Sequence, residues 1–316
     1  MGILLLVSSH EAVFAANTNI VYTPKHSQAY QINNDLMFDA RISTGVQSVL
    51  GNEYVYYPPE DRTVSKLIWD TKSLAMMGIG GSLNFQHKYT FNVDYWFSMS
   101  KADSKMTDYD WLVRGYEWTH RSIHEDTEVS SASIFDINVE VNALQIDTTT
   151  LSALVGYRQD SYEWKAYGGT FIYSVKDFRD TSGEFQDGLL GLTYKQTWKS
   201  TYLGLKVDTQ LTSLFNLHAK LIYAPSVTGE AIDHHHLRNL VATDTFEDNT
   251  MYAIALGMDY KISNALTFNL TYQYQKFDTV TGDTKWNENN QVRHLSKYAG
   301  ADLETSMLSM SLNYQF

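Results

Sequence analysis

The chain has 316 residues, no cysteine and a formal net charge of −12. The lack of cysteine excludes a disulfide framework, a thiolate nucleophile and a cysteine-bound zinc site. The acidic charge argues against nucleic acid as a partner, because phosphates require basic surfaces, and it favours cationic partners or substrates.

An apolar run of seven residues opens the chain, and residues 12–16 then read Ala-Val-Phe-Ala-Ala. This pattern predicts a signal peptide over residues 1–16, with cleavage near Ala15 or Ala16. A truncated start would explain the missing basic segment, and a buried first strand is the alternative interpretation. Residues 17–316 are predicted to form a single domain, in which no apolar run is long enough for a transmembrane helix.

Apolar and polar residues alternate along most of the chain. Clear examples, in chain order, are residues 88–97, 252–262, 266–274 and 308–316. Successive side chains of a strand point to opposite faces. Each segment is therefore predicted to be a strand with one apolar and one polar face.

Two architectures accommodate such strands. A soluble sandwich places the apolar face inside, whereas a transmembrane barrel turns it outward into lipid. Strands of more than ten residues, as a tilted membrane strand requires, and a chain that ends on Phe316 favour the barrel. Aromatic residues are also abundant, as in the girdles at a membrane interface. The tryptophans assigned to these girdles are Trp96, Trp111, Trp118, Trp164 and Trp198.

Short turns alternate with long polar connections in the predicted barrel. The short turns lie near residues 72–73, 148–150, 213–215 and 263–265. The long connections lie near residues 57–62, 100–125, 175–188, 229–248 and 278–302. Five long connections imply five hairpins. The sequence thus predicts an all-β fold, an antiparallel transmembrane β-barrel of about ten strands with long extracellular loops.

Two polar motifs carry side chains that could perform chemistry. Asp108 and Asp110 are spaced by two, as are Asp233 and His235, so each pair shares one face of an extended strand. If the two faces meet, a carboxylate and an imidazole could hold a water molecule between them. The neighbouring Asp would orient the imidazole, and two adjacent carboxylates would raise one another's pKa. The alternative is that both motifs are ordinary solvated loop surface.

Three consecutive histidines, residues 234–236, raise the question of a metal site. In a strand only alternate residues share a face, so His234 and His236 would oppose His235. We therefore expect one functional histidine in this run and no metal site.

Short segments spread over most of the chain, including the two motifs, match a known family in order and spacing. They are residues 53–56, 64–69, 108–111, 124–127, 135–138, 168–174, 178–180, 194–196, 202–205 and 233–235. In order and spacing they are collinear with the omptins, a family of outer-membrane aspartate–histidine endoproteases, which the chain therefore resembles. The resemblance implies that residues 17–316 form an outer-membrane barrel protease domain.

The resemblance also implies roles for the site residues. Asp108 and His235 would activate the hydrolytic water, Asp110 would support Asp108, and Asp233 would orient His235. The substrate would be a cationic peptide or protein, cleaved next to a basic residue at the extracellular side of the cell outer membrane. The alternative is an inactive omptin-like barrel that acts as an adhesin, an invasin or a porin.

Glu53 matches one of the acids with which the family binds the basic side chain of its substrate. Other positions depart from the family pattern. Ala231 stands where the family has a second such acid, and Glu230 should point the other way in an extended strand. His120 stands where a further acid is expected. The substrate pocket is therefore expected to be altered.

The resemblance finally implies contact with the membrane and its lipopolysaccharide. Ser161 and Thr197 stand where the family has arginines that bind lipopolysaccharide phosphates. We expect no cofactor, apart from a lipopolysaccharide requirement that is weaker or that depends on other residues.

Overall fold

The computed structural model describes residues 36–316, and almost all of them lie in β-strands. The predicted signal peptide, residues 1–16, lies outside this range. One 3-10 turn spans Pro58–Glu60, and no helix of the described part is long and apolar enough to span a bilayer. The strands are β1 (Leu36–Tyr57), β2 (Arg62–Phe85), β3 (Tyr89–Ser98), β4 (Ala102–Asp110), β5 (His120–Ile146), β6 (Thr149–Tyr167), β7 (Thr170–Tyr173), β8 (Thr181–Glu184), β9 (Leu190–Gln210), β10 (Phe215–His235), β11 (Leu240–Lys261), β12 (Leu266–Glu288) and β13 (Gln291–Gln315).

These strands form one antiparallel sheet that closes on itself. β1 pairs with β2 on one side and with β13 on the other, and the ring continues through β12, β11, β10, β9, β6 and β5. β3 and β4 follow one another between β2 and β5 and together fill one place. β7 and β8 form a side hairpin attached to β5. The ring therefore has ten places, which confirms the predicted barrel.

The half of the barrel nearest to Phe316 and the short turns carries an apolar belt on its outer surface. Its side chains point outward from alternate positions of the strands, whereas the residues between them point inward and are polar. Examples of the outward set are Phe38, Ile42, Val46, Ile254, Leu256, Met258, Leu308, Met310 and Leu312. Examples of the inward set are Ser43, Gln47, Asp136, Asn138, Glu140 and Arg158. This orientation is that of a membrane barrel and the opposite of a sandwich.

The strands extend far beyond the belt. β5 has 27 residues and β13 has 25, whereas about 9–11 tilted residues cross a bilayer. The polar segments 229–248 and 278–302 are therefore mostly strand, and their prediction as long loops was wrong. Their true connections are residues 236–239 and 289–290. Outside lipid a strand can be polar on both faces, so its sequence resembles that of a loop.

The predicted turn at residues 72–73 is also wrong, because both residues lie within β2. The pairing with β1 shifts here, with Gln47 opposite Leu74 but Val49 opposite Thr71. Such a β-bulge interrupts alternation just as a turn does. The real turn spans residues 86–88, and the other three short turns lie within two residues of their predicted places.

Aromatic side chains fill the barrel above the belt. Trp164 and Trp198 are almost fully buried there, so their assignment to a membrane girdle was wrong. Trp69 stacks on Tyr194 with ring centroids 5.4 Å apart, and Trp198 stacks on Phe277 at 5.3 Å. A ten-stranded ring leaves a wide interior, which these large residues pack. They separate a cavity at the projecting end of the barrel from another within the belt.

The belt predicts where a charge destabilises the fold. Leu256 is 51% exposed and lies between Tyr252 and Tyr260 on β11. Leu256→Arg should therefore destabilise the protein folded into lipid vesicles by about 2–4 kcal/mol. The matched control is Leu237→Arg, since Leu237 is equally exposed but lies at the projecting end. Denaturant titration followed by tryptophan fluorescence measures both, and equal losses would contradict the assignment of the belt.

Candidate active site

A cavity of about 650 Å³ lies at the projecting end of the barrel. All five residues that the sequence predicted for the site line it. They are Glu53, Asp108, Asp110, Asp233 and His235. The two motifs therefore meet, as the argument from strand faces required.

The first pair comes from β4, which pairs in register with β2. Asp108 lies opposite Leu67 and Asp110 opposite Ser65, and strand alternation turns both carboxylates into the cavity. The Ser65 hydroxyl donates a hydrogen bond to Asp108 Oδ1 at 3.1 Å. Burial, reinforced by the negative charge of Asp110, raises the pKa of Asp108 to about 8. Burial also raises the pKa of Asp110. Proton exchange by Asp108 is thus shifted towards neutral pH.

The second pair comes from β10. His235 Nε2 donates to Asp233 Oδ2 at 2.6 Å, and Asp233 is almost fully buried. Burial of His235 opposes its charged form, but the Asp233 carboxylate outweighs this effect and raises the pKa of His235. Since Nε2 is held by Asp233, Nδ1 is the ring nitrogen that remains for proton exchange.

The other two histidines of the triplet do not line the cavity, since His234 lies on the opposite face of β10 and His236 directly follows the strand. The rings of His234 and His236 pack together with centroids 3.8 Å apart, and His236 Nε2 lies 2.8 Å from Thr193 Oγ1. The three imidazoles therefore do not converge. Within residues 36–316 no group of three or more acidic or histidine side chains is arranged to hold a metal ion.

The two pairs face each other across the cavity. β4 and β10 are four places apart in the ring of ten, almost diametrically opposite. Their charges interact, because the Asp108 carboxylate contributes to the raised pKa of His235. A water molecule between them would contact a carboxylate on one side and an imidazole on the other.

Glu53 reaches the same cavity from β1 and is 4% exposed. Its Oε2 atom has no hydrogen-bond partner. Burial, together with the charges of Asp233, Asp244 and Asp108, raises the pKa of Glu53 well above its ordinary value. Such a buried, unpaired carboxyl group is suited to a cationic ligand.

Asp244 is a member of this site that sequence reasoning missed. It lies on β11, is 4% exposed and lines the cavity. Burial raises its pKa to about 7. It was overlooked because residues 229–248 were interpreted as a loop. A tight turn after His235 would have placed Asp244 directly across the hairpin from Ala231.

The structure also defines the burial and the contacts of the positions that depart from the family pattern. Ala231 is fully buried, and Glu230 is exposed on the opposite face, as expected. His120 packs against Tyr173, with ring centroids 5.0 Å apart. Ser161 and Thr197 lie side by side on β6 and β9, with their hydroxyl oxygens 3.2 Å apart.

Comparisons with known proteins give a consistent result. A family model described as the Omptin family matches residues 34–316. The chain is 27% identical to the plasminogen activator of Yersinia pestis, over 88% of this chain and 89% of that protein. It is 26% identical to the outer membrane protease OmpP of Escherichia coli K12, over 94% of this chain and 96% of that protein. The crystal structure of the outer membrane protease OmpT from Escherichia coli is similar with a TM-score of 0.85 and 25% identity, covering 89% of this chain and 97% of that chain.

The raised pKa values predict how stability depends on pH. The folded protein retains protons on Asp108, Asp244 and Glu53 that the unfolded chain releases from about pH 4 upward. Stability should therefore fall as the pH rises from 5 to 8.5, by about 1.4 kcal/mol per group for each pH unit of this range that lies between its unfolded and its folded pKa.

Glu53→Gln should make this decline shallower, because the amide has no charge to lose. Thermal unfolding in detergent, followed by circular dichroism at pH 5 and pH 8.5, measures the difference. Glu230→Gln is the matched control, since Glu230 is exposed. An unchanged pH dependence in Glu53→Gln would contradict the assignment.

Proposed function

The chain belongs to the omptin family, and on this premise we propose that it is an outer-membrane endopeptidase that cleaves polypeptides next to basic residues. The supporting observation is that Asp108 and Asp110 from β4 meet Asp233 and His235 from β10 in one cavity. These residues are far apart in sequence and lie on nearly opposite strands, and together they provide the groups that activate water.

In the proposed mechanism Asp108 and His235 hold the attacking water between them. The water attacks the peptide carbonyl carbon while His235 Nδ1 accepts its proton. The imidazolium then gives this proton to the leaving amine. Asp233 fixes the ring through Nε2 and stabilises the imidazolium. Asp110 supports Asp108, whose pKa is raised by burial and further by the charge of Asp110.

The charge of the cavity supports a cationic substrate. Six carboxyl groups line it, namely those of Glu53, Asp108, Asp110, Asp233, Asp244 and Glu288, against the two guanidinium groups of Arg238 and Arg293. Glu53 is not part of the water-activating set, and its free Oε2 can accept a hydrogen bond from an arginine or lysine side chain. Such a bond is stronger than one between neutral groups, which favours cleavage beside a basic residue.

The active site is proposed to face the outside of the cell. The cavity lies at the end of the barrel opposite to Phe316 and the short turns, and bacterial outer-membrane barrels place their short turns in the periplasm. Lipopolysaccharide would then contact the outer surface near Ser161 and Thr197. Lys195 and Lys199 flank Thr197 on β9 and can supply positive charge to its phosphates.

The alternative of a porin is disfavoured by the aromatic side chains that close the interior above the belt. An adhesin or invasin without catalysis would not need all four residues of the two pairs. Both alternatives predict that the protein does not cleave peptides.

Loss of a water-activating group should abolish most of the activity. Asp108→Asn and His235→Ala should each lower kcat/KM for a quenched fluorescent peptide with a central arginine by about 100- to 10,000-fold. The assay uses protein refolded with lipopolysaccharide. Asp103→Asn, an exposed position on β4, is the matched control and should retain full activity. Wild-type protein that cleaves no faster than Asp108→Asn would contradict the protease function.

Chelation distinguishes this mechanism from a metalloprotease. Because the proposed water is held by Asp108 and His235, dialysis against EDTA should leave the initial cleavage rate within about twofold of the untreated value. Loss of activity in EDTA that returns on addition of Zn²⁺ would show that a metal ion activates the water.

A further inference from the structure

Three buried carboxylate oxygens of the cavity lack a hydrogen-bond partner. They are Glu53 Oε2, Asp233 Oδ1 and Asp244 Oδ1. Buried polar atoms are nearly always paired, because a missing hydrogen bond costs free energy. Three unpaired acceptors in one cavity therefore indicate a place where a ligand donates hydrogen bonds.

Of these three acids, Asp244 has no part in the water-activating set. Asp233 already binds His235 through Oδ2, and Glu53 is the acid that the sequence assigned to the substrate. Asp244 is nevertheless close enough to Glu53 for its charge to contribute, after burial and Asp233, to the raised pKa of Glu53.

The position of Asp244 relates it to Ala231, where the family has an acid. It is the direct cross-strand partner of Ala231 in the pairing of β10 with β11. Side chains of such partners lie on the same face with Cβ atoms about 4.5–5.5 Å apart. Both residues are buried inside the barrel, Ala231 as part of the packed core and Asp244 at the wall of the cavity. A carboxylate is therefore available next to the place where the family pattern has an acid and this chain has Ala231.

We propose that Asp244 is a specificity-determining residue which, together with Glu53, binds the basic side chain of the substrate and takes over from the carboxylate missing at Ala231. This inference rests on the proposed protease function. The guanidinium of arginine carries five donors and the ammonium of lysine three, so either can bind carboxylates from two sides. Glu53 on β1 and Asp244 on β11 approach the cavity from different parts of its wall.

A pair of peptides tests this role. They are identical quenched fluorescent substrates whose central residue is arginine in one and citrulline, its neutral isostere, in the other. Asp244→Asn should lower kcat/KM for the arginine peptide by about 10- to 100-fold, as expected for the loss of a charge-assisted hydrogen bond. It should leave kcat/KM for the citrulline peptide within about twofold. Asp248→Asn, an exposed position on the same strand, should change neither.

The double variant Ala231→Asp with Asp244→Asn provides the rescue. It returns a carboxylate to the neighbouring strand and should restore most of the preference for arginine over citrulline. Equal losses on both peptides in Asp244→Asn, or an unchanged preference, would overturn the role of Asp244. Heat-modifiable migration on SDS gels verifies that each variant is folded.

Two further outcomes are distinguishable. If the wild-type protein cleaves neither peptide, the proposed function fails and the role of Asp244 fails with it. If Asp244→Asn does not fold, Asp244→Glu decides, because it keeps the charge but extends it by one methylene. The shortened pocket should shift the kcat/KM ratio of arginine to lysine peptides towards lysine, and an unchanged ratio would overturn the proposal.

Discussion

The rest of the structure depends on the closure of one antiparallel ring. β1 pairs with β13 over residues 39–55, which joins the two ends of the described chain and leaves no free sheet edge at this seam. In lipid an unpaired backbone N–H or C=O group costs several kcal/mol, so a strand can cross the membrane only within a closed barrel. The same closure places β4 almost opposite β10 and so brings the two polar pairs together.

The site contains acidic side chains that are buried, so that water cannot fully hydrate them. Asp108, Asp244 and Glu53 all have raised pKa values, with burial as the largest cause. Such groups lower the stability of the empty barrel at alkaline pH. The same lack of hydration strengthens any hydrogen bond to a cationic substrate, because charges interact more strongly in a medium of low dielectric constant. Stability is thus reduced at the positions where the proposed binding and catalysis require charge.

Sequence reasoning failed mainly beyond the membrane. The alternation that reveals a strand requires one apolar face, and the upper parts of β10 to β13 have none that is continuous, so residues 229–248 and 278–302 were interpreted as loops. The bulge at residues 72–73 imitated a turn for a similar reason. Trp164 and Trp198 were assigned to the lipid interface because composition does not reveal which face of a strand an aromatic residue occupies.

Alternation of period two is a local property, and the sequence alone therefore sufficed to predict the strands within the belt, the barrel and the two pairs that share a strand face. The choice of Asp108, Asp110, Asp233, His235 and Glu53 as candidate site residues was accessible in the same way, with the family resemblance. The convergence of these residues on one cavity, and the presence of Asp244 among them, required the tertiary structure. Both depend on cross-strand register and ring closure, which relate residues that no local pattern connects.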